Sequence, residues 1–187
     1  MFFFATAACK PGPWYNPFIA YKSLSGPAGE QPRTMLAAAL SGGADEHIQS
    51  LISTLGGPPT IVTPVPSTRG KPYAEQPLRT VIERVRSLAD VLSPALGHSG
   101  VERQRRRYQP GLFTATRSLA DERVLLIEDL FTTGSTSTSA WHACASAGAA
   151  VAVLVIAREL NLEWMPTETA SVIRALGKPA WWDAPDA

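Results

Sequence analysis

The sequence predicts an α/β domain built on a parallel sheet flanked by helices, and three observations predict it. Val124-Leu125-Leu126-Ile127 and Ala150-Val151-Ala152-Val153-Leu154-Val155-Ile156 are continuous apolar runs, as in strands buried on both faces of a parallel sheet. A helix-like stretch, Ser137 to Ala147, lies between them, so residues 124–156 read as one βαβ unit of ~30 residues or a little more. A third run, Thr60-Ile61-Val62-Thr63, is another buried strand, ended by Pro64 and Pro66 because proline cannot donate to a central ladder.

Composition sets the class. A chain of 187 residues suffices for one domain with a sizeable core. With 45% hydrophobic and 18% charged residues it is globular, and a formal net charge of +1 gives no global attraction to nucleic acid or anionic membrane. Any basic site must be local. Cys9 and Cys144 lie far apart and supply neither a disulfide framework nor a four-cysteine zinc site, which makes a reducing cytoplasm the default. The apolar start, Met1 to Cys9, lacks a basic n-region and is interrupted by Lys10, Pro11 and Pro13, so it does not read as an export signal. The longest later run, Ala149 to Ala157, falls far short of the ~20 residues a spanning helix needs, and no membrane role is expected.

Taken in order, residues 1–30 mix aromatics with Gly and Pro, which predicts an irregular flap or short strands instead of a long helix. Pro32 opens a helix to Leu40, stopped by Ser41-Gly42-Gly43. Asp45 and Glu46 open another, with Ile48, Leu51, Ile52 and Leu55 on one face and Gly56-Gly57 at its end; His47 in its first turn reads as a solvated residue. Beyond the 60–63 strand, Leu78, Val81, Ile82, Val85, Leu88 and Leu92 predict one amphipathic helix over 76–92. Residues 97–111 carry Arg103, Arg105, Arg106 and Arg107 followed by Tyr108, and like charge between Gly and Pro predicts a mobile loop. That loop is an anion-capturing lid, a nucleic-acid contact or a merely solvated turn. In the 137–147 helix, Ala140, Ala143, Cys144 and Ala147 permit close packing on the sheet. The final stretch, with Trp164, Trp181 and Trp182, is a tail packed on the domain, an interface patch such as a homodimer uses, or a stacking surface for a heterocycle.

Two stretches carry chemistry. Glu128 and Asp129 end the 124–127 strand, and Thr132, Thr133, Gly134, Ser135 and Thr136 lead into the helix after it. The first N–H groups of a helix lack intrahelical partners and face the positive end of its dipole, so strand, glycine-containing turn and helix N-terminus make an anion cradle. Hydroxyls add donors, and the two acids accept from neighbouring hydroxyls, which together suit a ribose 5-phosphate. The second stretch, Ser67, Thr68, Arg69, Gly70 and Lys71 after the 60–63 strand, joins a Ser-Thr pair, two cations and a glycine in a turn able to wrap a pyrophosphate.

The run from Val124 to Thr136 resembles the phosphoribosyl pyrophosphate (PRPP) signature of type I phosphoribosyltransferases, and residues 65–71 resemble their pyrophosphate loop. The likeness is nearest to ComF-like phosphoribosyltransferase-related proteins, in which a Val-Pro-Ser loop, a basic loop and a Glu-Asp-Leu/Val-Phe-Thr-Thr-Gly strand follow in this order; it spans roughly Ile61 to Arg158. It implies a Rossmann-like phosphoribosyltransferase fold with a small hood, divided as residues 1–58 (hood and helices), 59–160 (PRPP-binding core) and 161–187 (tail). Tyr21 and Lys22 then either reach the site from the hood or glue it to the core. The resemblance implies catalytic roles for Glu128, Asp129, Arg106 and Arg107, the 5-phosphate on residues 132–136, pyrophosphate on residues 67–71, and magnesium at Asp129, directly or indirectly. Thr132 stands where 6-oxopurine salvage enzymes carry an aspartate base, which argues against hypoxanthine or guanine. The four-cysteine module of many ComF-like proteins is absent.

Two functions follow from these residues. One is transfer of ribose 5-phosphate from PRPP to a nitrogen acceptor with release of pyrophosphate. The other is a PRPP-sensing or DNA-associated accessory role, with nucleic acid held by the 103–107 arginines.

Overall fold

Four parallel strands gather the chain's most apolar runs. The computed structural model describes residues 1–10, 15–24, 26–68, 70–161 and 167. In chain order the elements are β1 (Phe2–Lys10), α1 (Tyr15–Ser23), α2 (Pro27–Leu55), β2 (Ile61–Pro64), a 3-10 turn (Tyr73–Glu75), α3 (Pro77–Ile82), α4 (Arg86–Ala89), β3 (Leu96–His98), β4 (Phe113–Ala115), β5 (Arg123–Phe131), α5 (Ser135–Ser146) and β6 (Ala150–Asn161). The main sheet has the order β1-β6-β5-β2, and β3 and β4 form a separate antiparallel hairpin.

Successive side chains of a strand point to opposite faces, and here both faces are covered. Leu125, Ile127, Leu154 and Ile156 join a core with Phe18 of α1, Leu36, Leu40 and Leu51 of α2, and Val81 and Ile82 of α3. Val124, Leu126, Val151, Val153 and Val155 join a second core with Ala140, Ala143 and Cys144 of α5 and Leu96 and Phe113 of the hairpin. Full burial of each such Leu, Ile or Val is worth ~1.5–3 kcal/mol, which explains why these runs lack alternation.

Of the flap or short strands expected over residues 1–30, the described residues form one strand, the helix α1 and the start of α2. Phe2–Lys10 is an edge strand paired along β6, from Phe2 against Val153 to Lys10 against Asn161, so the 1–58 segment contributes to the sheet as well as covering it. Its two predicted helices are one, α2, which begins at Pro27 with proline in the first turn and runs through Ser41-Gly42-Gly43. Gly43 serves packing: a Cβ there would overlap Ala5 Cβ and lie 2.8 Å from Ala5 Cα, so its absence lets the helix rest on β1. His47, expected in solvent, is partly buried and lies 3.1 Å from the Phe4 carbonyl. The end at Gly56 follows the prediction, with φ at 74° and its N–H bonded to the Ile52 carbonyl.

The predicted 76–92 helix is broken into α3 and α4, with Val85 extended between them. Leu78, Val81, Ile82, Val85 and Leu88 are all buried as the pattern required. Past the break, Val62 donates to Val91 O (2.9 Å) and Ser93 donates to Val62 O (3.0 Å), which covers the outer edge of β2. The arginine block is the tip of the β3–β4 hairpin. Among the described residues no helix is long and apolar enough to cross a membrane. The tail tryptophans Trp164, Trp181 and Trp182 lie outside the described residues.

Candidate functional site

β2 and β5 are neighbours running the same way, so the loops after both open at the carboxyl edge of the sheet. Pairing holds from Ile61–Val124 to Pro64–Ile127, and Val65 N still donates to Ile127 O (2.8 Å) as the chains part. A cleft of about 500 Å³ lies at this edge. It is lined by residues of the 132–136 turn, by Ser67, Thr68 and Lys71 after β2, by Arg103, by Ile19, Tyr21 and Lys22 of α1, and by Gln76, Pro77 and Leu78 at the start of α3.

The 132–136 turn depends on Gly134. It precedes α5 with φ at 73°, a left-handed conformation that disfavours any Cβ, and an added Cβ would lie 2.6 Å from Phe131 Cε2. The Phe131 ring is itself fixed edge-on between Phe2 and Phe4, with centroids 5.6 and 5.2 Å away. This places the first turn of α5 against the cleft, with Thr132, Thr133, Ser135 and Thr136 lining it and the Thr133 and Ser135 hydroxyls 3.2 Å apart. In the loop after β2, Gly70 N donates to Ser67 O (3.2 Å) and Gly70 has φ at 67°, closing the turn that presents Ser67, Thr68 and Lys71. Gly70 shapes that turn without lining the cleft, and Arg69 lies outside the described residues.

Adjacent positions on a strand face opposite ways, and the two acids do so. Glu128 turns towards α5, where Ser137 Oγ donates to its Oε2. Burial pushes its carboxyl up to about 8; the Asp129 charge adds to the rise, while Lys22 and Arg103 oppose it. Asp129, 9% exposed, turns towards α1: Tyr21 donates to its Oδ2 at 2.6 Å, the Lys22 ammonium pairs with the same oxygen, and Leu130 N donates to Oδ1 at 2.9 Å. Burial first, and then the Asp129 charge, holds the Tyr21 phenol well above its ordinary range. Tyr21 and Lys22 therefore fix α1 to the acid pair and also line the cleft. Separated from Asp129 by 108 positions in the case of Tyr21, this contact left no local trace in the sequence.

The donor set does not fit a magnesium ion held by Asp129. Both its carboxylate oxygens are engaged, one by an ammonium, and among the described residues no three His, Cys, Asp or Glu side chains converge. A divalent cation would depend on oxygens of an incoming diphosphate.

The hairpin tip brings the arginines to the cleft unequally. Arg103 lines it, and Arg103, Arg105 and Arg106 face Thr132 and Thr133 around an outer hollow of about 620 Å³. All four arginines are exposed, and no ion pair links any of them to a carboxylate among the described residues. Arg106 sits in the tip turn at φ 59°. Arg107 lines neither space, donating instead to Gln104 Oε1 at 3.3 Å, and Tyr108 packs edge-on against His142 of α5. Gln109 N donates to Ser139 Oγ (3.0 Å), tying the tip to the helix that forms the cradle. The arrangement can bind an anion at α5, a second anion at the 67–71 turn, and a polar body between them. The chain matches no family model, no curated protein and no solved structure.

Proposed function

We propose that this chain is a PRPP-dependent phosphoribosyltransferase, transferring ribose 5-phosphate to a nitrogen acceptor and releasing pyrophosphate, in a cytoplasmic setting. The observation that carries the reading is the convergence of the α5 N-terminus, the 67–71 turn and the Glu128–Asp129 pair on one cleft. Two anion sites flanking carboxyl groups match a sugar with a phosphate at one end, a diphosphate at the other and hydroxyls between.

In this reading Thr132 to Thr136 hold the 5-phosphate and Ser67 to Lys71 the pyrophosphate. Glu128 and Asp129 meet the ribose hydroxyls. The C1–oxygen bond to pyrophosphate breaks as the C1–nitrogen bond forms, through a transition state with oxocarbenium character. The protein's contribution is position and charge, with Arg103 and Arg106 next to the departing diphosphate and shielding it from water. Arg107, assigned to the same task by resemblance, would need the hairpin tip to move. The test is pyrophosphate release from PRPP with a panel of bases and amines; release with at least one is expected.

A second reading, a PRPP sensor or nucleic-acid accessory protein, is favoured by two observations. Asp129 is already paired with Lys22, and Arg103, Arg105 and Arg106 have no carboxylate partner among the described residues. Tight PRPP binding without pyrophosphate release from any acceptor would select the sensor, and salt-dependent DNA binding lost on changing these arginines to alanine would select the accessory role.

A further inference from the structure

We infer that Lys22 is the built-in cation of the acid pair: its ammonium supplies beside Asp129 the positive charge that a divalent metal would bring, and donates to the bound ribose phosphate. The inference rests on the PRPP reading above and adds to the same cleft a contact residue from α1. Both oxygens of Asp129 are engaged, Oδ1 by the Leu130 N–H at 2.9 Å and Oδ2 by the Tyr21 hydroxyl at 2.6 Å together with the Lys22 ammonium. A metal ion at this carboxylate would compete with a cation already paired to it. Without that cation the carboxylate would repel a phosphate ester held in the same cleft.

The helix α1 holds the ammonium where it is. Phe18 and Tyr21 are 1% and 2% exposed, which fixes the helix on the core, and the residue after Tyr21 is thereby delivered to the acid that Tyr21 itself binds. The Lys22 ammonium lies 5.5 Å from the Tyr21 ring centroid, within cation–π reach. The Lys22 side chain is nonetheless 49% exposed where that of Asp129 is 12%, and both residues line the cleft with Thr132 to Thr136. An ammonium has three N–H donors, so pairing with one carboxylate oxygen leaves it able to donate to hydroxyl and phosphate oxygens. A lysine held in this way screens the acid from the ligand without the loss of coordinated water that magnesium resists.

Ribose 5-phosphate is the probe, because it carries the sugar and one phosphate but no diphosphate through which magnesium could act. Calorimetric titration of wild type is expected to give the same affinity in EDTA and in magnesium. Lys22→Met keeps the stem and removes the charge. It should bind at least about tenfold more weakly in EDTA and recover most of that loss in magnesium, which then meets a carboxylate without its ammonium. Lys22→Arg, which restores the charge, should recover most of the loss in EDTA. Wild-type binding that requires magnesium overturns the inference, since a metal then serves the acid pair. So does unchanged binding by Lys22→Met in EDTA, which leaves Lys22 as an anchor of α1 alone, or a loss that magnesium does not relieve. Failure of both ribose 5-phosphate and PRPP to bind wild type in either medium overturns the PRPP reading and the inference with it, a result distinct from these.

Discussion

Glu128→Gln should flatten the dependence of stability on pH. The glutamate carboxyl rises from 4.5 to about 8 on folding, so between those values the native state holds a proton that the unfolded chain has released. The contribution is fully present below pH 4.5 and is lost as pH climbs through 8. A shift of this size spans about 5 kcal/mol in full, and the part falling between pH 5.5 and 8.5 is about 3 kcal/mol. The assay is urea denaturation of both proteins at several pH values, extrapolated to water. Cys144, whose burial lifts its thiol to about 12, is common to both proteins and cancels in the comparison. Wild type should lose roughly 2–3 kcal/mol more than the variant across the range. Parallel profiles would refute the claim that burial near Asp129 holds Glu128 protonated.

Three further perturbations test the packing and the cleft. Gly43→Ala should destabilise by about 1–3 kcal/mol because its methyl group meets Ala5 of β1, whereas Gly42→Ala, with nothing within 4 Å, should stabilise by up to about 1 kcal/mol in thermal unfolding. Gly134→Ala should cost at least about 2 kcal/mol by the same measurement, combining positive φ with contact on a Phe131 ring already fixed by two neighbours. Arg103→Ala should weaken PRPP binding by about tenfold in calorimetry and Arg107→Ala by far less, since only Arg103 lines the cleft.

The sheet centre was legible because burial on both faces removes alternation, and the runs at 124–127 and 151–156 have no other economical explanation. The anion loops were legible because their chemistry is local: glycine, hydroxyls and a helix start within a few residues. Long-range pairing was not. β1 was hidden because Phe2, Phe3 and Phe4 read as loose aromatics until β6 supplies their partner, and the following prolines suggested a flap. Gly42-Gly43 was read as a helix stop because local rules see flexibility, while the structure uses Gly43 for close approach to Ala5. The engagement of Asp129 by Tyr21 and Lys22 changes how the acid pair is understood, since one of two expected acceptors is already matched with a cation.

Titrating PRPP into the protein and into a Thr132→Val, Thr133→Val, Ser135→Ala variant tests the central claim most directly. One-to-one binding with a dissociation constant below about 1 mM, reversed by ribose 5-phosphate and separately by pyrophosphate, and weakened at least about tenfold in the variant, is the predicted result. No heat at that concentration, or equal affinity in both proteins, would contradict it.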